Sequence, residues 1–168
     1  MRVMDALMAI PALLLAIAFV ALVGGGFFTV VTALTIPEIP RVVRLVRSIV
    51  LTVREEPYIE AAITGATPLR LILWRHVLPN TVAPLVVLGT YVIAAAILIE
   101  ASLSFLGAGI PPETPSWGNV IAGGRSLFEI APWIIFAPSA VLALAVLSIN
   151  VLGDGLRETL DPKVAKRM

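Results

Sequence analysis

Charged residues come in clusters along this chain, and long apolar windows run between them. No Asp, Glu, Lys, Arg or His occurs over residues 6–37, 79–99 or 130–152. The last two windows hold 21 and 23 residues, and a bilayer crossing takes about 20. Gly24-Gly25-Gly26 divides the first window and reads as a turn. The pattern therefore predicts four membrane-spanning helices, over 6–23, 27–53, 81–100 and 132–152.

The second of these extends beyond its apolar window. Residues 27–37 alone would reach only about 16 Å as a helix, against an apolar layer of about 30 Å. The helix is therefore expected to continue past Pro40, where Arg41, Arg44 and Arg47 recur every third residue on one face. Val42, Leu45, Val46 and Ile49 occupy the other face. Two readings of Arg41 and Arg44 stand side by side: snorkelling toward headgroups, or bordering a water-filled translocation path.

Composition supports the membrane reading. Hydrophobic residues make up 59% of the 168 and charged residues 14%, too apolar for a water-soluble domain of this length. Cysteine is absent, which excludes disulfides and thiolate chemistry. A net charge of +1 gives no argument for nucleic acid. If residues 54–79 are cytoplasmic, eleven of the twelve Lys and Arg residues fall on that side and only Arg125 lies outside. That bias puts both ends in the cytoplasm. No signal-peptide pattern is expected in the first window, and the abrupt start points to a missing N-terminal part.

Residues 55–79 read as a built object. Pro57 suits the first turn of a short helix over 58–64, and Gly65 is a natural stop. Thr67 is the expected N-cap, with Pro68 opening a second short helix over 69–76 that halts before Pro79. Two capped helices with a sharp bend make a rigid knob.

Within that knob, Glu60-Ala61-Ala62, then Gly65, then Leu78-Pro79 resemble the EAA loop of ABC importer permeases. The step from Gly65 to Pro79 is one residue longer than the family pattern. Further along, Glu100-Ala101-Ser102-Leu103-Ser104-Phe105-Leu106-Gly107, Pro115-Ser116-Trp117-Gly118, Leu152-Gly153-Asp154-Gly155-Leu156-Arg157 and Leu160-Asp161-Pro162 look like the dipeptide/oligopeptide/nickel branch of that family. Met4-Asp5 also fits it.

The resemblance implies an all-α membrane protein, the last four transmembrane helices of a six-span, MetI-like ABC importer permease. It further implies a coupling-helix loop at 55–79, an external loop at 101–131 and a cytoplasmic tail at 153–168. The function implied is ATP-driven import of peptides, nickel or related small solutes across a bacterial or archaeal cytoplasmic membrane. Such a chain has no catalytic centre, metal or cofactor of its own, because ATP is hydrolysed by partner subunits. The partners implied are a second homologous permease, two ATP-binding subunits, an extracytoplasmic solute-binding protein and membrane lipid. Glu60, Ala61, Ala62 and Gly65 are the candidate ATPase-coupling residues. Arg70 and Arg75 join them as either ATPase contacts or topology charges. Glu100 is read either as reaching interfacial water or as helping to close an outer gate.

Other chemistry finds little footing. His76 is the only histidine, without a second ligand for a metal. Ser102 or Ser104 as a hydrolase nucleophile would stand across the bilayer from it. An ion-driven secondary transporter, the alternative function, wants carboxylates at mid-membrane depth, and Glu38 between Pro37 and Pro40 is the one candidate. Gly118-Asn119-Val120-Ile121-Ala122-Gly123 has the glycine spacing of a phosphate loop, but Gly124-Arg125 follows where Lys-Ser/Thr is required.

Overall fold

The computed structural model describes residues 2–160, and these are helical with no strand among them. Residues Asp161 and Pro162 of the last motif, and the tail beyond them, lie outside the described residues. The elements are α1 (Arg2–Met8), α2 (Ala12–Val23), α3 (Phe27–Arg54), α4 (Pro57–Thr64), α5 (Leu69–Ile72), a π turn (Leu73–Val77), α6 (Leu78–Phe105), α7 (Trp117–Gly123), a 3₁₀ turn (Arg125–Leu127) and α8 (Trp133–Leu160).

Local chemistry accounts for the breaks. The first apolar window is not one helix: it is interrupted before Pro11, which occupies the N-cap of α2 with extended backbone. A residue preceding proline is pushed out of the α region. The 12 residues of α2 reach about 18 Å, short of the apolar layer. Gly24, at φ 98°, ends α2 as the triple glycine suggested. α3 then runs unbroken for 28 residues through Pro37 and Pro40, carrying the arginine row as expected.

The third helix is longer than its apolar window. Helical chain extends without interruption over Leu69–Phe105, 37 residues, or about 55 Å. The second short helix expected to halt before Pro79 instead passes through the π turn into α6. At the other end α6 takes in residues 101–105, which were expected in the external loop. α8 likewise continues to Leu160, past the expected boundary at 152. Leu69–Phe105 and α8 are each long and apolar enough to cross a membrane.

By internal packing the described residues form two compact units, 2–40 with 91–151, and 41–90 with 152–160. The core of the first is Ala16, Val20, Val30, Ala33 and Leu103, with Ile17, Phe19, Leu34, Ile99 and Ile110 against it. Two of the five are alanines with no exposed surface, which lets α2 and α3 approach closely. The core of the second is Val53, Ile59 and Ile72, flanked by Ile49, Ala62 and Val77. This smaller cluster makes the knob solid: one residue each from α3, α4 and α5 meet there.

Most large apolar side chains remain outside these cores, among them Leu22, Phe28, Leu144, Leu147, Val151 and Leu152. In water so much exposed apolar surface would drive aggregation. In lipid it carries no such cost, because the surroundings are as apolar as the side chains.

Candidate functional site

The knob is built from its two bends. α4 begins at Pro57, where the missing N–H is one the helix would leave unpaired anyway. It ends in a Schellman arrangement. The Thr67 amide donates to the Ala62 carbonyl at 3.0 Å and the Ala66 amide to the Ile63 carbonyl at 3.0 Å. In that motif the residue after the C-cap takes the left-handed conformation. Gly65 is the C-cap, at φ −74°, and the left-handed position is held by Ala66, at φ 55°.

This shifts the bend by one residue from its expected place. Counted from Ala66, the step to Pro79 is one residue shorter than from Gly65. A left-handed alanine costs about 1–2 kcal/mol. Ala66→Gly should therefore stabilise the protein, by a net of about 0.5 kcal/mol once the greater freedom of unfolded glycine is subtracted. Ala66→Val should destabilise it by more than that. Thermal unfolding of the purified variants checks both signs.

The second bend also differs from expectation. Thr67 does not cap α5; the N-cap is Pro68, with no side-chain hydrogen bond. The Pro68 carbonyl receives the Leu71 amide at 2.9 Å and the Ile72 amide at 3.2 Å. What orders this end is burial of Ile72 against Val53 and Ile59.

The candidate coupling residues divide by exposure. Glu60, Ala61 and Gly65 are exposed, while Ala62 is half-buried against the knob core. Ala62 is thus a packing residue, and of the four only Glu60, Ala61 and Gly65 lie on the exposed surface, which Tyr58, Ile63 and Thr64 share. Arg70 and Arg75 are exposed, on α5 and in the π turn respectively. Arg41 is half-buried and Arg44 exposed, both on α3. Glu100 belongs to the other unit, half-buried near the end of α6.

His76 has a structural place, as its isolation suggested. Its ring lies 5.7 Å from that of Tyr58. Asn80 joins the same cluster: its Nδ2 donates to the His76 carbonyl at 2.6 Å and stands 3.5 Å from the Tyr58 hydroxyl. Sequence reading passed over Tyr58 and Asn80, although Asn80 follows the Leu78-Pro79 signature directly.

In the first unit, residues 104–119 form an ordered cap on α6. Buried Ser104 donates to Glu100 Oε1 at 2.7 Å and accepts from the Ile110 amide at 3.1 Å. Asn119 Nδ2 lies within hydrogen-bond reach of the carbonyls of Ile110, Pro111 and Thr114, at 3.1, 3.0 and 2.9 Å. Ser116 caps α7, accepting from the Asn119 amide at 3.2 Å. Arg125 stacks its guanidinium 3.9 Å from the Phe105 ring centroid. Glu100 therefore holds the Ser104 hydroxyl, which in turn receives the loop amide of Ile110. Gly118, which opens the false phosphate-loop pattern, is buried on the backbone of α6 at Ala101.

Similarity to known proteins bears on this arrangement. The family model described as "Binding-protein-dependent transport system inner membrane component" matches residues 1–166. A probable peptide ABC transporter permease protein of Sinorhizobium fredii is 54% identical over 167 residues, 99% of this chain and 57% of the relative. A di/tripeptide transport system permease protein of Pseudomonas aeruginosa is 46% identical over 165 residues, 98% of this chain and 54% of the relative. A glutathione transport system permease protein of Escherichia coli is 45% identical over 165 residues, with the same coverage. The chain thus spans little more than half the length of the curated relatives it matches. With a family model covering nearly every residue and an all-helical fold among the described residues, this chain belongs to the binding-protein-dependent transport system inner membrane component family, whose members are transport permeases and not enzymes.

Proposed function

We propose that this chain forms part of the membrane pathway of an ATP-driven importer for peptides or chemically related small solutes, and that the knob at residues 55–79 receives the motion of separate ATP-binding subunits. The observation that carries the reading is the knob itself. Its core packs Ile59 and Ile72 against Val53 of α3, which makes the two short helices and the end of α3 one packed piece. Its outward face at Glu60, Ala61 and Gly65 is small and exposed, suited to close approach by a partner. Relatives named for peptide, di/tripeptide and glutathione transport support the substrate class.

The remaining assignments follow from this function. A second permease chain would complete the pathway, and a solute-binding protein would deliver substrate on the outer side. α3, Leu69–Phe105 and α8 would cross the bilayer, with α1 and α2 making up the first crossing. Both ends of the chain would face the cytoplasm. Arg70 and Arg75 would meet the ATPase, and Arg41 and Arg44 would border the path. Glu100 would act at the outer gate through its bond to Ser104. No cofactor is required in this chain, and ATP would be consumed by the partners.

Ala61→Trp tests the reading. Ala61 is exposed, so the added indole leaves the fold intact while blocking the docking face. Uptake by the assembled importer should fall about tenfold, the effect of roughly 1.4 kcal/mol at a partner interface, with an unchanged thermal midpoint. Full uptake with normal ATP use would refute the coupling role.

A further inference from the structure

The π turn at Leu73–Val77 is unexplained by the function just proposed, yet it lies between the knob and the long helix. In it the Leu78 amide donates to the Leu73 carbonyl, five residues back. Such turns are rare and concentrate at functional positions. Its chemistry can be traced. In an α-turn the Arg75 carbonyl would receive the amide of residue 79, but Pro79 has none and its ring crowds that carbonyl. The His76 carbonyl, which in an α-turn receives the backbone amide of Asn80, accepts from the Asn80 side chain at 2.6 Å.

Other prolines inside helices do not do this. Pro37 and Pro40 in α3, Pro84 in α6 and Pro138 in α8 are followed by Glu38, Arg41, Leu85 and Ser139. None of these is an amide side chain. The pair Pro79-Asn80 is what distinguishes the site. The second Nδ2 hydrogen of Asn80 points toward the Tyr58 hydroxyl, 3.5 Å away and 22 residues back in sequence, at the start of α4. Tyr58 also lays its ring against His76 inside the turn.

We infer that Pro79 and Asn80 are positioning residues for coupling: they hold a π turn whose register sets the rotation of the knob about the axis of α6, and Asn80 fastens that turn to α4 through Tyr58. This rests on the proposed coupling role of the knob. Returning the turn to α register would rotate everything before it by about 100° and advance it by about 1.5 Å. Ile72 would then leave Val53 and Ile59, so the π turn and the knob core are geometrically tied to one another. A push on the knob reaches α6 through this turn.

The test uses the importer assembled from the full-length chain with its ATP-binding subunits and binding protein, reconstituted in vesicles. Solute uptake and ATP hydrolysis are measured together for wild type, Asn80→Ala, Tyr58→Phe, the double variant and Pro79→Ala. Asn80→Ala should lower uptake per ATP about fivefold, the effect of one hydrogen bond, with partner stoichiometry unchanged. Tyr58→Phe, which removes one hydroxyl and keeps the ring, should lower it less. The double variant should be no worse than Asn80→Ala, since both act through one contact.

Pro79→Ala should lower uptake per ATP at least as far as Asn80→Ala. Unchanged uptake per ATP in Asn80→Ala and Pro79→Ala would overturn the inference. So would loss of partner chains from those variants, because an assembled but poorly coupled complex is what it predicts. Should wild type itself show no ATP-dependent uptake, the proposed function fails, and that result is separate from any difference among variants.

Discussion

Alanine at Gly118 is expected to destabilise the protein by about 3 kcal/mol, the upper part of the range for an overpacked site. A Cβ there would overlap the Ala101 carbonyl oxygen and lie 2.6 Å from Ser104 Cβ. The carbonyl is helix backbone in α6 and cannot turn aside, so α7 must move off the helix. Doing so pulls on Asn119, whose side chain reaches three loop carbonyls, and on Ser104, which accepts the Ile110 amide. Gly123, five residues further along, provides the control: a Cβ there meets nothing within 4 Å. Gly123→Ala should be neutral or gain up to about 1 kcal/mol by restricting the unfolded chain. Thermal unfolding in detergent, compared across the two variants, checks the opposed signs. Equal behaviour at the two positions would mean that α7 does not rest on α6.

Gly153→Leu should have an effect of similar size in the other unit. Gly153 on α8 is buried, and a Cβ there would overlap Thr90 Oγ1 and stand 3.0 Å from Thr90 Cβ. The Thr90 hydroxyl is bonded to the Val87 carbonyl at 2.8 Å, so turning it away sacrifices that bond. Small residues at such crossings let helix backbones come together where lipid offers no hydrophobic drive for association. Leucine would separate α8 from α6 and cost about 3 kcal/mol. Gly155 separates the crossing from the motif around it: nothing lies within 4 Å of a Cβ at that position, and Gly155→Ala should be tolerated in the isolated chain. A loss of melting temperature in the first variant and none in the second is the expected pair.

Much of the architecture was legible because lipid imposes a simple rule. Uncharged windows of about 20 residues become helices when no water is present to satisfy open backbone, and the windows at 79–99 and 130–152 did so. Their ends were harder to place. Charge patterning marks where apolar surface stops, whereas helix continues wherever backbone bonding can, through Glu100 to Phe105 and through Asp154 to Leu160. The segment expected as one helix over 6–23 is broken because Pro11 acts locally, and hydropathy does not register a single proline.

The knob was readable from Pro57, Gly65 and Pro68, but its fine register was not. Gly65 drew attention as a glycine, whereas backbone bonding puts the strained position at Ala66. The cap at residues 104–119 was the least legible part. Its Pro and Gly content suggests slack, and the contacts that order it depend on Asn119 meeting carbonyls eight or nine residues away. No local pattern encodes that meeting.

A practical result comes from the way Ser104 and Asn119 stitch their loop to the end of α6. Held by those bonds, the loop should follow whatever turn or tilt the helix makes. A spin label or fluorophore at exposed Glu113 would ride as a passenger and report the orientation of α6 from the loop at its end. Cutting the thread at Asn119 would leave the same label reporting only its own tumbling.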